Sequence, residues 1–158
     1  FRGSAAVAAG LVTWSRLCGP RFRKLFPDIY APASEKEPTL KLRSRGAGLL
    51  VAGRGVVSGY SAADCSVHRV PPAEVTVSGR QREHPGLLVH RDRLAPDEIQ
   101  LVDGLWVITP LRTAFDLARL LDLVEGVVAA VDALANRCRF HPDLIPERRC
   151  GWTWRGPS

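Results

Sequence analysis

The sequence predicts an α+β protein: an N-terminal winged helix-turn-helix followed by a small antiparallel sheet covered by two helices. Three observations carry that expectation. Short helix signals, punctuated by Gly and Pro, crowd the first 32 residues and end in an extended stretch. Residues 73–109 alternate β-prone runs with tight turns. Residues 109–135 carry apolar positions at helical spacing.

Taken in order, Ser4 caps a first helix over Ala5–Ala9, which Gly10 ends. Thr13 caps a second over Trp14–Leu17, closed by Gly19. Pro20 suits the first turn of a third, Arg21–Phe26, with Cys18, Gly19 and Pro20 as the turn between helices two and three. Asp28–Ala31 reads as extended between Pro27 and Pro32, and residues 33–38 as a polar loop. Leu40–Ala52 reads as a helix that Gly46 and Gly48 weaken, loosening the packing behind the winged helix. Ser61 with Asp64 resembles a capping box. Glu74–Val77, Leu87–His90, Ile99–Val102 and Leu105–Ile108 are β-like, and Asp103-Gly104 is a hairpin signal between the last two.

Thr109 and Pro110 then open a helix whose inner face is Leu111, Phe115, Ala118 and Leu121. Asp122 with Glu125 opens the next, striped by Val124, Val127, Val128, Val131, Leu134 and Ala135. From Phe140 onward the pattern stops, and 146–158 read as a disordered or aberrant tail. The expected organisation is a winged module over 1–38, an α+β module over 39–140 and a tail over 141–158.

The 158 residues, 46% hydrophobic and 24% charged, suit one domain or two small modules. No apolar run approaches the ~20 residues of a membrane helix. The net charge of +6 is uneven. Residues 1–50 hold nine Lys/Arg against three Asp/Glu, and residues 51–146 hold ten against twelve. A basic end on a near-neutral body points to a polyanion, with nucleic acid first and an acidic protein second. Arg outnumbers Lys 19 to 3, a bias that also fits a GC-rich genome. The chain has no Met and opens on Phe1, which suggests a lost start codon or a fragment.

The candidate DNA contacts follow from that charge. Arg21, Arg23 and Lys24 lie on the expected third helix, with Phe22, Leu25 and Phe26 turned inward. Thr13, Trp14, Ser15 and Arg16 sit at the start of the preceding helix, suited to the sugar-phosphate backbone. Arg112, Asp116 and Arg119 form a structural set on a helix surface, at i−4 and i+3 about the acid. No catalytic set can be assembled. Gly53, Gly55 and Gly59 miss the dinucleotide spacing and read as a turn. His90-Arg91-Asp92 lacks the rest of a kinase loop. Cys18, Cys65, Cys138 and Cys150 give no metal pair beyond an isolated Cys65/His68, and His68, His84, His90 and His141 read as surface or turn residues. The expectation is therefore no enzyme, cofactor, metal or small-molecule substrate, and reduced thiols in cytoplasm.

Three ordered segments resemble AbiEi-type proteins, the antitoxins of type IV toxin–antitoxin systems. They are Ala8–Thr13 with the basic segment and Asp28-Ile-Tyr30, then Val57–Ala63, then Asp103-Gly104 with Ile108–Ala118. The resemblance is nearest to an actinobacterial branch that carries a C-terminal domain similar to very-short-patch-repair endonucleases. That domain is expected to be missing, with the Arg/Trp-rich end resembling out-of-frame translation. The resemblance implies DNA binding by the N-terminal module, a cognate toxin as partner, and no catalysis. The alternative is an inactive remnant of the endonuclease-bearing protein.

Overall fold

The structure, a computed structural model, describes residues 1–34, 38–59, 72–120 and 124–141. They form two compact units, Phe1–Ile108 and Thr109–Ser158.

The first unit opens with α1 (Gly3–Ala8) and α2 (Trp14–Leu17). Thr13 caps α2 as expected, its Oγ1 accepting from Arg16 N at 3.4 Å. The third helix does not form. Phe22–Phe26 is a strand, β1, paired antiparallel with β2 (Ile29–Pro32). The same residues reach a full ladder by folding back across Pro27-Asp28, where Asp28 takes a left-handed φ of 61°. The ladder shifts register between Lys24 and Phe26, so Leu25 and Phe26 both pack inward. Two helices and a hairpin thus replace the expected three helices and a strand.

α3 (Leu40–Val51) is capped by the Thr39 hydroxyl. Its glycines do not loosen the packing. A Cβ on Gly46 would lie 3.2 Å from the Leu25 side chain, and one on Gly48 would lie 3.0 Å from Leu105 and 3.1 Å from Val57. Their missing side chains let the hairpin and the sheet approach the helix closely.

The sheet holds β3 (Gly55–Val57), β4 (Ala73–Val77), β5 (Leu87–Arg91), β6 (Ile99–Val102) and β7 (Leu105–Ile108). Their spatial order is β5-β4-β3-β7-β6. The sheet is mixed, not antiparallel: β3–β4 and β6–β7 are antiparallel, while β3–β7 and β4–β5 are parallel. The parallel partners are joined by returning chain, residues 78–86 between β4 and β5 and everything from 58 to 104 between β3 and β7, whereas the two-residue Asp103-Gly104 turn dictates an antiparallel pair. Gly55, expected in a turn, is the first residue of β3. One core joins Phe26 and Ile29 of the hairpin, Ala47, Leu50 and Val51 of α3, and Ala73, Val75 and Val77 of β4.

In the second unit α4 (Pro110–Leu120) packs on α5 (Val124–Cys138). Thr109 caps α4, with its Oγ1 accepting from Arg112 N at 3.4 Å. Among the described side chains of α4, Arg112, Thr113, Ala114, Phe115 and Leu117 are buried, while Leu111, expected on the inner face, is half-buried. Val131, Leu134 and Ala135 of α5 are buried as expected. Ser61, Asp64, Asp122 and the tail from 142 lie outside the described residues.

Candidate nucleic-acid interface

The first 34 residues carry five cations, Arg2, Arg16, Arg21, Arg23 and Lys24, and one acid, Asp28. The fold disposes of the acid. Asp28 Oδ1 accepts from Ser4 N at 2.7 Å and Oδ2 from Ser4 Oγ at 2.5 Å. The carboxylate thereby caps the N-terminus of α1, where the helix dipole favours negative charge. The Ser4 hydroxyl bond, helped by Ser4 N–H and the charges of Arg2 and Lys24, holds the carboxyl below its usual range against some desolvation. Arg2 completes the tie. Its guanidinium donates to Leu49 O at 2.6 Å, at the C-terminal end of α3, and stands 3.9 Å from Asp28. The hairpin tip, α1 and α3 are therefore fixed to one another.

What remains is cationic. Trp14, Ser15 and Arg16 are exposed on α2 while Leu17 anchors it in the core. Arg21 and Lys24 are exposed and Arg23 is half-buried. Among the described residues, Arg16, Arg21, Arg23 and Lys24 form no ion pair within 4 Å. The strand changes their geometry. On a helix Arg21 and Lys24 share a face, whereas on a strand Arg23 and Lys24 project to opposite sides. Phe22 does not enter the core but meets Phe1 edge to face, with centroids 5.6 Å apart. The Thr13 hydroxyl accepts in its cap from Arg16 N.

Sequence reasoning missed a second polar site. Glu74 on β4 is buried, and its Oε2 lies 2.8 Å from Nε2 of His90 on β5. His90 is thus a sheet residue, not a turn residue. Beside the pair, Gly59 takes a φ of +57°, and a Cβ there would overlap the Glu74 carboxylate. Ser58 donates its N–H to Glu74 O at 3.0 Å. A single His–Glu contact offers no nucleophile and no metal set, and no group of three metal-ligating side chains occurs among the described residues.

Arg112 and Asp116 meet as expected, with Nε 3.0 Å from both carboxylate oxygens. Arg112, however, is 3% exposed rather than on the surface. The carboxylate one turn on supplies the partner that a guanidinium needs to leave water. The side chain of Arg119 lies outside the described residues. No described helix is long and apolar enough to cross a membrane.

The family profile of the AbiEi antitoxin C-terminal domain matches residues 47–145, from the second half of α3 through α5. The chain belongs to the AbiEi antitoxin family. No curated protein and no solved structure matches it. The hairpin and α2 precede the part that the AbiEi profile covers, while Glu74, His90, Arg112 and Asp116 fall within it.

Proposed function

We propose that this AbiEi-family chain is the antitoxin of a toxin–antitoxin pair and that its first 34 residues bind DNA. The observation that carries the DNA reading is the cationic surface of α2 and β1, where the one acid among residues 1–34, Asp28, is engaged by Ser4 and Arg2. In this reading α2 sits against the duplex and the β1–β2 hairpin acts as a wing. Arg21, Arg23 and Lys24 reach phosphates or a groove, with Thr13, Trp14 and Arg16 on the backbone. The profile match supports the antitoxin role and a cognate toxin as partner. We further assign the chain, as part of the same proposal, to the actinobacterial branch whose longer members carry a very-short-patch-repair-like endonuclease domain. This assignment rests on the three ordered segments, Ala8–Thr13 with Asp28–Tyr30, Val57–Ala63, and Asp103-Gly104 with Ile108–Ala118. The protein then works in the cytoplasm, through binding alone.

The test is the salt dependence of binding to promoter DNA. Each phosphate neutralised adds about 0.9 to the slope of log K against log salt. Replacing Arg21, Arg23 and Lys24 by Ala should lower the slope by about 3. Binding that ignores the triple substitution overturns the interface. Metal-dependent DNA cleavage by the purified chain overturns the non-catalytic role. Co-expression that fails to relieve growth arrest by the toxin encoded beside it overturns the antitoxin role.

A further inference from the structure

A different surface of the first unit is built for a different partner. β6 is an edge strand of the five-stranded sheet. Asp103 (φ 49°) and Gly104 (φ 77°) form the two-residue turn to β7, with Val102 opposite Leu105 and Leu101 opposite Trp106. Both central residues are left-handed, the mark of a type I′ hairpin. In such a hairpin the pair flanking the turn is hydrogen-bonded and the next is not. Leu101 therefore turns its N–H and C=O outward, away from β7.

Edges of this kind are usually guarded by Lys, Pro or a bulge. Ile99-Gln-Leu-Val102 has none of these. Its surroundings are apolar: Leu101 is 58% exposed, Val102 46% and Trp106 49%. Residues 94–111 contain no Lys, Arg or His, and Asp97 and Asp103 are exposed before and after the strand, whereas Glu98 is buried and accepts from Ala95 N at 2.8 Å. Asp103, exposed at the end of the strand, makes no ion pair among the described residues.

We infer that β6 is a docking edge for an extended segment of another protein, with apolar side chains at alternate positions and Lys or Arg at its ends. The segment adds a sixth strand, exchanges hydrogen bonds with Leu101, and lays apolar side chains on Leu101 and Trp106. Its terminal cations meet the acids that flank the edge. Charge decides between occupants. A second copy pairing β6 with β6 brings the exposed Asp97 and Asp103 of both copies together, and like charges across a strand pair destabilise it. Nucleic acid is repelled by the same carboxylates. The inference uses none of the DNA-contact residues; its strand lies within the part that the AbiEi profile covers, and its peptide titration is read separately from DNA binding and toxin relief.

The test uses the full chain, labelled with ¹⁵N and titrated with seven-residue peptides of alternating Val and Thr. One peptide has Lys at both ends and the other Glu. The Lys-ended peptide should shift the amides of Ile99–Val102 and the Trp106 indole, and bind about tenfold tighter than the Glu-ended one. Leu101→Pro removes the outward N–H without touching the ladder and should abolish binding. Leu101→Lys, which keeps the backbone intact, should weaken it, and Asp103→Asn, which still tolerates the turn, should weaken it about threefold. Equal binding of the two peptides, no binding of either, or wild-type binding by the Leu101 variants overturns the inference. So does a duplex DNA that shifts the same amides, or a dimer of the free chain that Leu101→Pro dissolves.

Discussion

Asp28 caps a helix 24 residues before it in sequence, through Ser4. The cap residue proper, Arg2, makes no side-chain cap. The carboxylate at the hairpin tip takes over, while Asp28 O accepts from Gly3 N at 2.8 Å. One residue thus closes the hairpin, starts α1, and ties up the one acid among residues 1–34.

Asp28→Ala should therefore lower stability by about 1 kcal/mol, the usual cost of a lost cap. Asp28→Asn tests the charge alone, since Asn accepts the left-handed backbone. The Asp28 carboxyl titrates below its ordinary value of 3.8, so its contribution is complete above that value. It fades as pH falls through the lower folded value. Urea midpoints of wild type and Asp28→Asn, measured from pH 7 to pH 2.5, should differ by a constant amount at neutral pH. They should converge below about pH 3.8. A difference that persists at the acid end sinks the assignment.

Gly46 and Gly48 should respond differently to Ala. Each substitution gains about 1 kcal/mol of helix propensity. At Gly46 the new methyl meets the flexible Leu25 tip at 3.2 Å, which can move aside, so the net change should be near zero. At Gly48 it is pinned between Leu105 at 3.0 Å and Val57 at 3.1 Å. Overpacking of about 1–3 kcal/mol then outweighs the gain. Thermal melts of the two variants read the contrast directly, and a stabilised Gly48→Ala rules out close helix–sheet packing.

What was legible in the sequence was what is decided locally. Asp103-Gly104 and the Thr109-Pro110 cap specify their structures through their own backbone preferences, and both form. The segment Arg21–Phe26 does not, because its state depends on Ile29–Pro32 as a ladder partner and on Asp28 adopting a positive φ. β3 is three residues long and exists because β4 and β7 flank it, the latter fifty residues away at Val57 and Val107. The Glu74–His90 contact spans sixteen residues and follows from the parallel register of β4 and β5, which no short motif encodes. The cationic residues were found by composition alone, but their arrangement changed with the element that carries them.

Gly59→Ala should be among the costlier substitutions in the sheet. The left-handed φ of +57° strains any L side chain by about 1–2 kcal/mol. The added methyl also overlaps the buried Glu74 carboxylate, which His90 holds in place. Together these should exceed about 2 kcal/mol. Glu74→Gln beside His90 should cost less, since an amide still offers a hydrogen bond to the ring. Urea unfolding of both variants gives the order, and its reversal overturns the close approach of Gly59 to Glu74.

Arg112 offers the sharpest contrast between breaking a pair and replacing one. Its guanidinium is buried, and Nε donates to both oxygens of Asp116 at 3.0 Å. Asp116→Ala leaves the guanidinium buried without that carboxylate, which should cost about 3 kcal/mol. Arg112→Met with Asp116→Leu removes both charges and fills much of the same volume. The double variant should recover most of the loss, because the desolvation cost disappears with the charges. An Asp116→Ala protein as stable as wild type, measured by urea titration at low and high salt, overturns the buried pair. Loss at low salt that vanishes at high salt marks it as a surface interaction instead.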